Sequence, residues 1–208
     1  MTRRHGRTRC RPRAGYTLVE LIIVVTLLGT AGALLVPHLV NLESMEAQAA
    51  VRTVIADLSF AQSDALANQE FRRVHFYEDG RGYCIIRVAD ADFFKAFDYS
   101  DGAPVADAPE YIVDPLGGDG LLERYVVDFV NDDRWKTVRI ESVTIDGVTL
   151  TPDGADITYD DLGGTVSSPG VPGTGGTIVL GSAQERYQIS ISPFTGKMSV
   201  QRLVAATP

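Results

Sequence analysis

Cysteine is almost missing from this chain: its 208 residues include only Cys10 and Cys84. No disulfide framework is available, and none inside the monomer if the first residues are removed. Cys10 follows Arg-Thr-Arg and lacks the apolar residues that precede a lipidated cysteine. Cys84 stands between Tyr83 and Ile85 in a strand-like run, where its expected role is a small buried apolar side chain. Histidine is equally scarce. His5, His38 and His75 lie far apart, His75 on a strand face opposite Val74 and Phe76, and with no paired cysteines they offer no zinc set. The acidic stretches 114–119 and 153–161 lack the spacing of a twelve-residue calcium loop and read as solvated loop acids. There is no glycine-serine elbow between a strand and a helix. The glycine-rich stretch 170–176 has neither the lysine nor the helix of a phosphate loop. No metal, no cofactor and no catalytic set are therefore expected, and the chain does not read as an enzyme.

Basic residues become sparse after the first fifteen. Residues 1–15 hold Arg3, Arg4, Arg7, Arg9, Arg11 and Arg13 and no acid, so the remainder carries −14 within an overall formal charge of −8. An acidic body repels phosphate backbones, so nucleic acid is not expected as the main partner.

Residues 18–40 read LVELIIVVTLLGTAGALLVPHLV. A helix needs about 20 apolar residues to cross a bilayer, and this run supplies them. The arginine-rich start should stay on the cytoplasmic side, with everything after the run outside. A secretory signal has a shorter apolar core followed by a small-residue cleavage site. Here the basic stretch ends at Arg13-Ala14-Gly15 and the apolar run follows at once. One residue is costly: Glu20 sits two residues inside that run, where a carboxylate at mid-bilayer costs on the order of 2.5–3.5 kcal/mol. It is a functional candidate whose partner should be a cation.

Gly15-Tyr16-Thr17-Leu18-Val19-Glu20 resembles the signal of type IV prepilins and type II secretion pseudopilins. The resemblance implies that a prepilin peptidase cuts between Gly15 and Tyr16 and that the new amine of Tyr16 is methylated. Glu20 then stands fifth in the mature chain, Gly29 fourteenth and Pro37 twenty-second, as in that family. Tyr16 departs from the more usual Phe or Met but is still large and aromatic. The implied role of Glu20 is to neutralise the terminal amine as subunits assemble; Gly29 and Pro37 are candidates for softening the helix. The implied partners are other pilins or pseudopilins through the N-terminal helix, the peptidase, an inner-membrane assembly platform and membrane lipid.

Beyond Pro37 no glycine or proline occurs before Gly80. In residues 41–70, Leu42, Met45, Ala49, Val51, Val54, Ile55, Leu58, Ala61 and Ala65 form a stripe at spacings of three and four, with Glu43, Glu46, Arg52, Asp57, Gln62 and Asp64 largely opposite. One helix over about 18–68 would be roughly 75 Å long. Strands are predicted at 73–78, 83–88, 125–130, 137–145, 176–180, 186–192 and 197–203. Asp79-Gly80-Arg81-Gly82, Asp146-Gly147 and Pro193-Phe194-Thr195-Gly196 are their turns. Residues 89–120, with a short helix at 92–97, and residues 151–176, rich in Gly, Pro, Ser and Thr, read as long loops, the second mobile. A helix followed by antiparallel strands without helical crossovers is α+β, and the resemblance makes it a type IV pilin-like fold.

The expected organisation is a cleaved leader 1–15, a membrane and assembly helix 16–40, an amphipathic continuation 41–70 and a periplasmic β-rich head 71–208. The helix end Phe60-Ala61-Gln62-Ser63-Asp64-Ala65-Leu66-Ala67-Asn68 and the run Ile189-Ser190-Ile191-Ser192-Pro193-Phe194-Thr195-Gly196-Lys197 resemble the GspH/FimT-like minor pseudopilins. The implied function is a minor subunit of a type II secretion pseudopilus in the bacterial inner membrane, N-terminus cytoplasmic. The alternative is a minor type IV pilin for pilus assembly, adhesion or DNA uptake.

Overall fold

The computed structural model describes residues 16–99, 110–115, 124–149 and 154–203. The chain divides into two compact units, one ending at Val40 and the other starting at Asn41. Among the described residues there is one α-helix, α1 (Leu18–Asn68), which contributes residues to both. The helix closes without glycine. Gln69 takes a left-handed φ of 55°, and the Glu70 N–H reaches back to the Ala65 C=O at 3.3 Å, the bond that ends a helix by satisfying a late carbonyl.

In the second unit Ala47, Ala50, Val51, Val54, Leu58, Ala61 and Ala65 are buried, at helical spacings of three and four. The stripe is rotated slightly from the predicted one. Met45 is 66% exposed, while Ala47 and Ala50 take the inner face. Asp57, expected among the outward polar residues, is buried on that face. It lies three residues after Val54 and seven after Ala50, which puts it on the inner stripe, and two phenols accommodate it. The Tyr83 hydroxyl donates to its Oδ2 at 2.5 Å and the Tyr125 hydroxyl to its Oδ1 at 2.9 Å.

The strands are β1 (Phe71–Phe76), β2 (Gly82–Val88), β3 (Glu110–Tyr111), β4 (Val126–Asp128), β5 (Arg139–Ile145), β6 (Val148–Thr149), β7 (Ala155–Tyr159), β8 (Thr165–Ser168), β9 (Val171–Pro172), β10 (Gly176–Gly181), β11 (Arg186–Ile191) and β12 (Met198–Leu203). They form two antiparallel sheets. The seven-stranded sheet runs β3-β2-β1-β7-β8-β9 with β4 also pairing β2; the five-stranded sheet runs β12-β11-β10-β5-β6. The architecture is α+β, consistent with a type IV pilin-like fold.

Two loop expectations are corrected. Residues 151–176 are not a mobile loop: β7, β8 and β9 lie there, and β7 sits beside the central strand β1. Ile157 and Tyr159 are fully buried and Val166 nearly so, while Gly154, Gly163, Gly170 and Gly175, all at positive φ, turn the chain between strands. Within 89–120 a 3-10 turn covers Asp90–Asp92 in place of a helix at 92–97, and β3 follows. Residues 100–109 and 116–123, with several of that stretch's acids, lie outside the described residues.

The strand predicted at 73–78 begins two residues earlier and is buried on both faces. One face meets α1 in the main core, through Val74 and Phe76. The other, with Tyr77, Cys84, Ile86 and Val88, packs under Phe97, Tyr99, Tyr111 and Val126. Cys84 is thus a fully buried small side chain. The five-stranded sheet is one-sided: Val143, Ile145, Ile178, Leu180, Ile189 and Ile191 face the core. Between β5 and β6, Asp146 and Gly147 make the two-residue turn with φ of 52° and 79°, the positive pair that matches strand twist. Gly80 is required sterically, since a Cβ there would stand 2.2 Å from the Ile140 carbonyl oxygen.

Candidate functional site

The candidate site begins where the described chain begins. Tyr16 is 85% exposed. Thr17 caps α1: its Oγ1 accepts the Glu20 N–H at 3.2 Å and its C=O accepts the Leu21 N–H at 3.2 Å. Thr17-Leu18-Val19-Glu20 therefore places a capping hydroxyl three residues before an acid, the spacing of a capping box. That signal was legible in the sequence, but the prepilin pattern draws attention to Glu20 alone. Glu20 lies exposed in the first turn of α1, where a carboxylate opposes the positive end of the helix dipole.

Beyond it Leu18, Val19, Leu21, Ile22, Ile23, Val24, Val25, Leu27 and Leu28 are all exposed, so the helix is bare and apolar around its circumference. Such a surface requires an apolar covering, whether lipid or other helices. Its hydroxyls suit that surrounding. Thr26 Oγ1 donates to the carbonyls of Ile22 and Ile23, both at 2.9 Å, and Thr30 Oγ1 to those of Thr26 at 3.1 Å and Leu27 at 2.9 Å. Both threonine hydroxyls are satisfied by their own helix, as an apolar medium demands.

Residues 10–36 match the family model described as the prokaryotic N-terminal methylation motif. The chain carries a prepilin signal. This motif is that of type IV pilins and pseudopilins, structural proteins, and it implies processing by prepilin peptidase, assembly with other pilins and inner-membrane anchoring. Neither the curated proteins nor the solved structures contain a match to the chain. Among the described residues no helix is long and apolar enough to cross a membrane. The described side chains of the prepilin helix end at Ala33, short of the predicted run 18–40.

Around the prepilin signal, Gly15 and the arginine-rich leader lie outside the described residues. So does the side chain of Pro37, although the α1 backbone continues through that position. Gly29 is helical, and a Cβ on it would meet nothing within 4 Å. Among the described residues no packing requires a glycine there, and helix softness stays its candidate role. Gly29→Ala is expected to fold normally and to stiffen the helix by about 1 kcal/mol. Amide hydrogen exchange over 29–37 should then slow by about fivefold, and unchanged exchange would remove the softening role.

Within the second unit, chemistry-bearing residues gather around β1 and β7. His75 is buried, its Nδ1 2.7 Å from Asp156 Oδ1 and its ring stacked on Tyr99 at a centroid distance of 3.5 Å. Arg73 lies beside them, donating to the Phe93 C=O at 2.5 Å and to Thr158 Oγ1 at 3.3 Å. Burial of the phenol, with Asp156 nearby, pushes Tyr99 up from its ordinary value. The group ties 93–99 down over β1 and β7. Among the described residues no cluster of three His, Cys, Asp or Glu side chains is placed to hold a metal ion. Asp57 is perturbed as well: burial raises it above the ordinary aspartate range, against the lowering effect of the Tyr83 and Tyr125 hydrogen bonds.

Proposed function

We propose that this chain is a minor pseudopilin, a non-enzymatic structural subunit of a periplasmic pseudopilus that serves type II secretion. The observation carrying the reading is the prepilin signal over residues 10–36, whose Glu20 stands in the capped first turn of a bare apolar helix. Cleavage between Gly15 and Tyr16 releases an amine four residues before Glu20. That amine is positive and next to the positive end of the helix dipole, an unfavourable pairing in an apolar medium. Glu20, of the same subunit or a neighbour, neutralises both. Tyr16 is the methylated residue, and the exposed side chains from Leu18 to Leu28 supply the surface through which subunits and lipid meet the helix. The leader stays cytoplasmic and the acidic head lies in the periplasm. A body of −14 supports a protein partner over nucleic acid.

Intact mass and N-terminal sequencing of the protein from membranes, with and without an active prepilin peptidase, test this directly. The expected product starts at methylated Tyr16 only when the peptidase is present. A chain that retains its arginines under both conditions would reduce the signal to an ordinary anchor.

A further inference from the structure

Among the described residues three other than glycine hold a left-handed backbone: Gln69, Asp146 and Phe194. Gln69 ends α1 and Asp146 makes a two-residue turn. Phe194 differs from both. It stands in the turn between β11 and β12 with φ of 62°, where glycine or asparagine is the ordinary occupant and a bulky residue is strained. Burial of the ring would offset that strain, yet the residue is 69% exposed. Held in an unfavourable conformation and left in water, this phenylalanine gains little from its own fold.

Two further apolar side chains stand on adjacent turns. Leu162 is 80% exposed in the link between β7 and β8, and Leu66 is 47% exposed near the end of α1. A Cβ on Gly163 would come within 2.9 Å of Leu66 Cδ1, and one on Gly164 within 2.6 Å of the Phe194 carbonyl oxygen. The three turns are fastened to one another. Gln62 Nε2 donates to the Gly163 C=O at 2.5 Å and to the Thr195 C=O at 2.9 Å. Asp160 Oδ1 accepts the N–H groups of Leu162 at 3.1 Å and Gly164 at 2.7 Å. The tips are therefore preorganised, which lowers the entropic cost of burying them against a partner.

Charge decides what covers them. The same turns carry Asp160 and Asp161 in the link and Asp64 and Glu70 at the end of α1, against one cation, Lys197. Arg72 offsets the pair at the helix end, which leaves the link acids to set the local sign. A second copy would bring another body of −14 against these acids, and anionic lipid headgroups are repelled likewise. We infer that Phe194, with Leu162 and Leu66 beside it, is a docking knob for a different filament subunit, one whose apolar socket is edged by lysine or arginine. Phe194 is the anchor, since aromatic side chains dominate the buried centres of interfaces, while the acids at the rim orient the partner. This rests on the filament-subunit reading, which holds both subunits in one membrane and raises their effective concentration.

The test uses the full chain in membranes with active peptidase, with the photoreactive residue p-benzoylphenylalanine in place of Phe194. Irradiation is expected to give an adduct with another chain that bears a prepilin signal, its cross-linked stretch containing lysine or arginine by mass spectrometry. The yield should exceed that from the same probe at Val130, exposed on the turn after β4, by at least about tenfold. Asp161→Lys should lower it several-fold, as should added salt. With the probe moved to Leu162, Phe194→Asn should cut the yield at least about tenfold. The same variant should melt no lower than wild type, because asparagine accepts the left-handed backbone. An adduct with a second copy, with lipid or with a protein lacking the signal would overturn the knob. So would a contact without lysine or arginine, indifference to Asp161→Lys, or a Phe194→Asn melt more than about 2 °C lower. N-terminal analysis of the same membranes separates the two readings. A mature start at Tyr16 without the adduct sinks the knob alone. The adduct with the leader retained upholds the knob and sinks the filament subunit, and neither processing nor adduct sinks both.

Discussion

Replacing Glu20 with alanine is expected to leave cleavage after Gly15 intact and to remove the protein from filaments. On the proposed reading the peptidase acts at the Gly15–Tyr16 bond, four residues before the carboxylate, whereas assembly brings the new amine into an apolar helix bundle. An uncompensated charge in such a place costs about 3–5 kcal/mol relative to the pair. At 1.4 kcal/mol per tenfold, incorporation should fall by about two to four orders of magnitude. The capped first turn survives the change, because the Thr17 hydroxyl bonds to the backbone N–H of residue 20 and not to its side chain. The loss would therefore be electrostatic and not a frayed helix. Glu20→Asp keeps the charge on a shorter arm and should recover part of the incorporation. Co-purification of tagged Glu20→Ala with sheared filaments, normalised to processed protein in the membrane, measures it. Incorporation at the wild-type level would remove Glu20 from the assembly role.

The parts of the molecule that the sequence reveals are those set by local pattern. The α1 stripe is written in spacings of three and four, and the Asp146-Gly147 turn in two residues that tolerate positive φ. The prepilin signal is similarly local, since its peptidase reads a short run of chain. What escapes is set by distant residues. β7 and β8 are short and lie between glycines, and their composition is that of a loop. β7 is a strand because β1, some eighty residues earlier, offers it a partner, as in Val74 opposite Ile157, and β8 then pairs with β7. His75 alternates with Val74 and Phe76 as an outward residue would. It is buried because Tyr99, in a stretch read as a loose acidic loop, stacks on it. The same holds for Asp57, a charged residue on a helix whose phenolic partners lie 26 and 68 positions away.

Asp57 is also where the second large effect is expected. Asp57→Ala should destabilise the second unit by about 2–4 kcal/mol, because the Tyr83 and Tyr125 hydroxyls would be left buried without an acceptor, at about 1–3 kcal/mol each. Relief of the desolvated carboxylate offsets part of this loss. Asp57→Asn fills the same space, presents one acceptor and one donor to the two hydroxyls, and should stay within about 1 kcal/mol of wild type at neutral pH. For a domain of this size the alanine variant should melt about 5–15 °C lower, followed by near-ultraviolet circular dichroism of the intact chain in detergent. A melt within about 2 °C of wild type would show that the phenols find other partners. The pH dependence carries a sign that separates charge from packing. Burial raises Asp57 in the folded state above its unfolded value. Its stabilising contribution is therefore complete below the ordinary aspartate range and lost as pH rises through the raised value. Asp132 works in the opposite direction, since its hydrogen bond with Arg134 lowers it and its contribution is lost on acidification. Both variants share Asp132, so the difference between wild type and Asp57→Asn isolates the buried group. Acidification from neutral pH should stabilise wild type relative to Asp57→Asn. A difference that stays flat from pH 7 to pH 4 would mean that water reaches the carboxylate and that it is not held in a dry core.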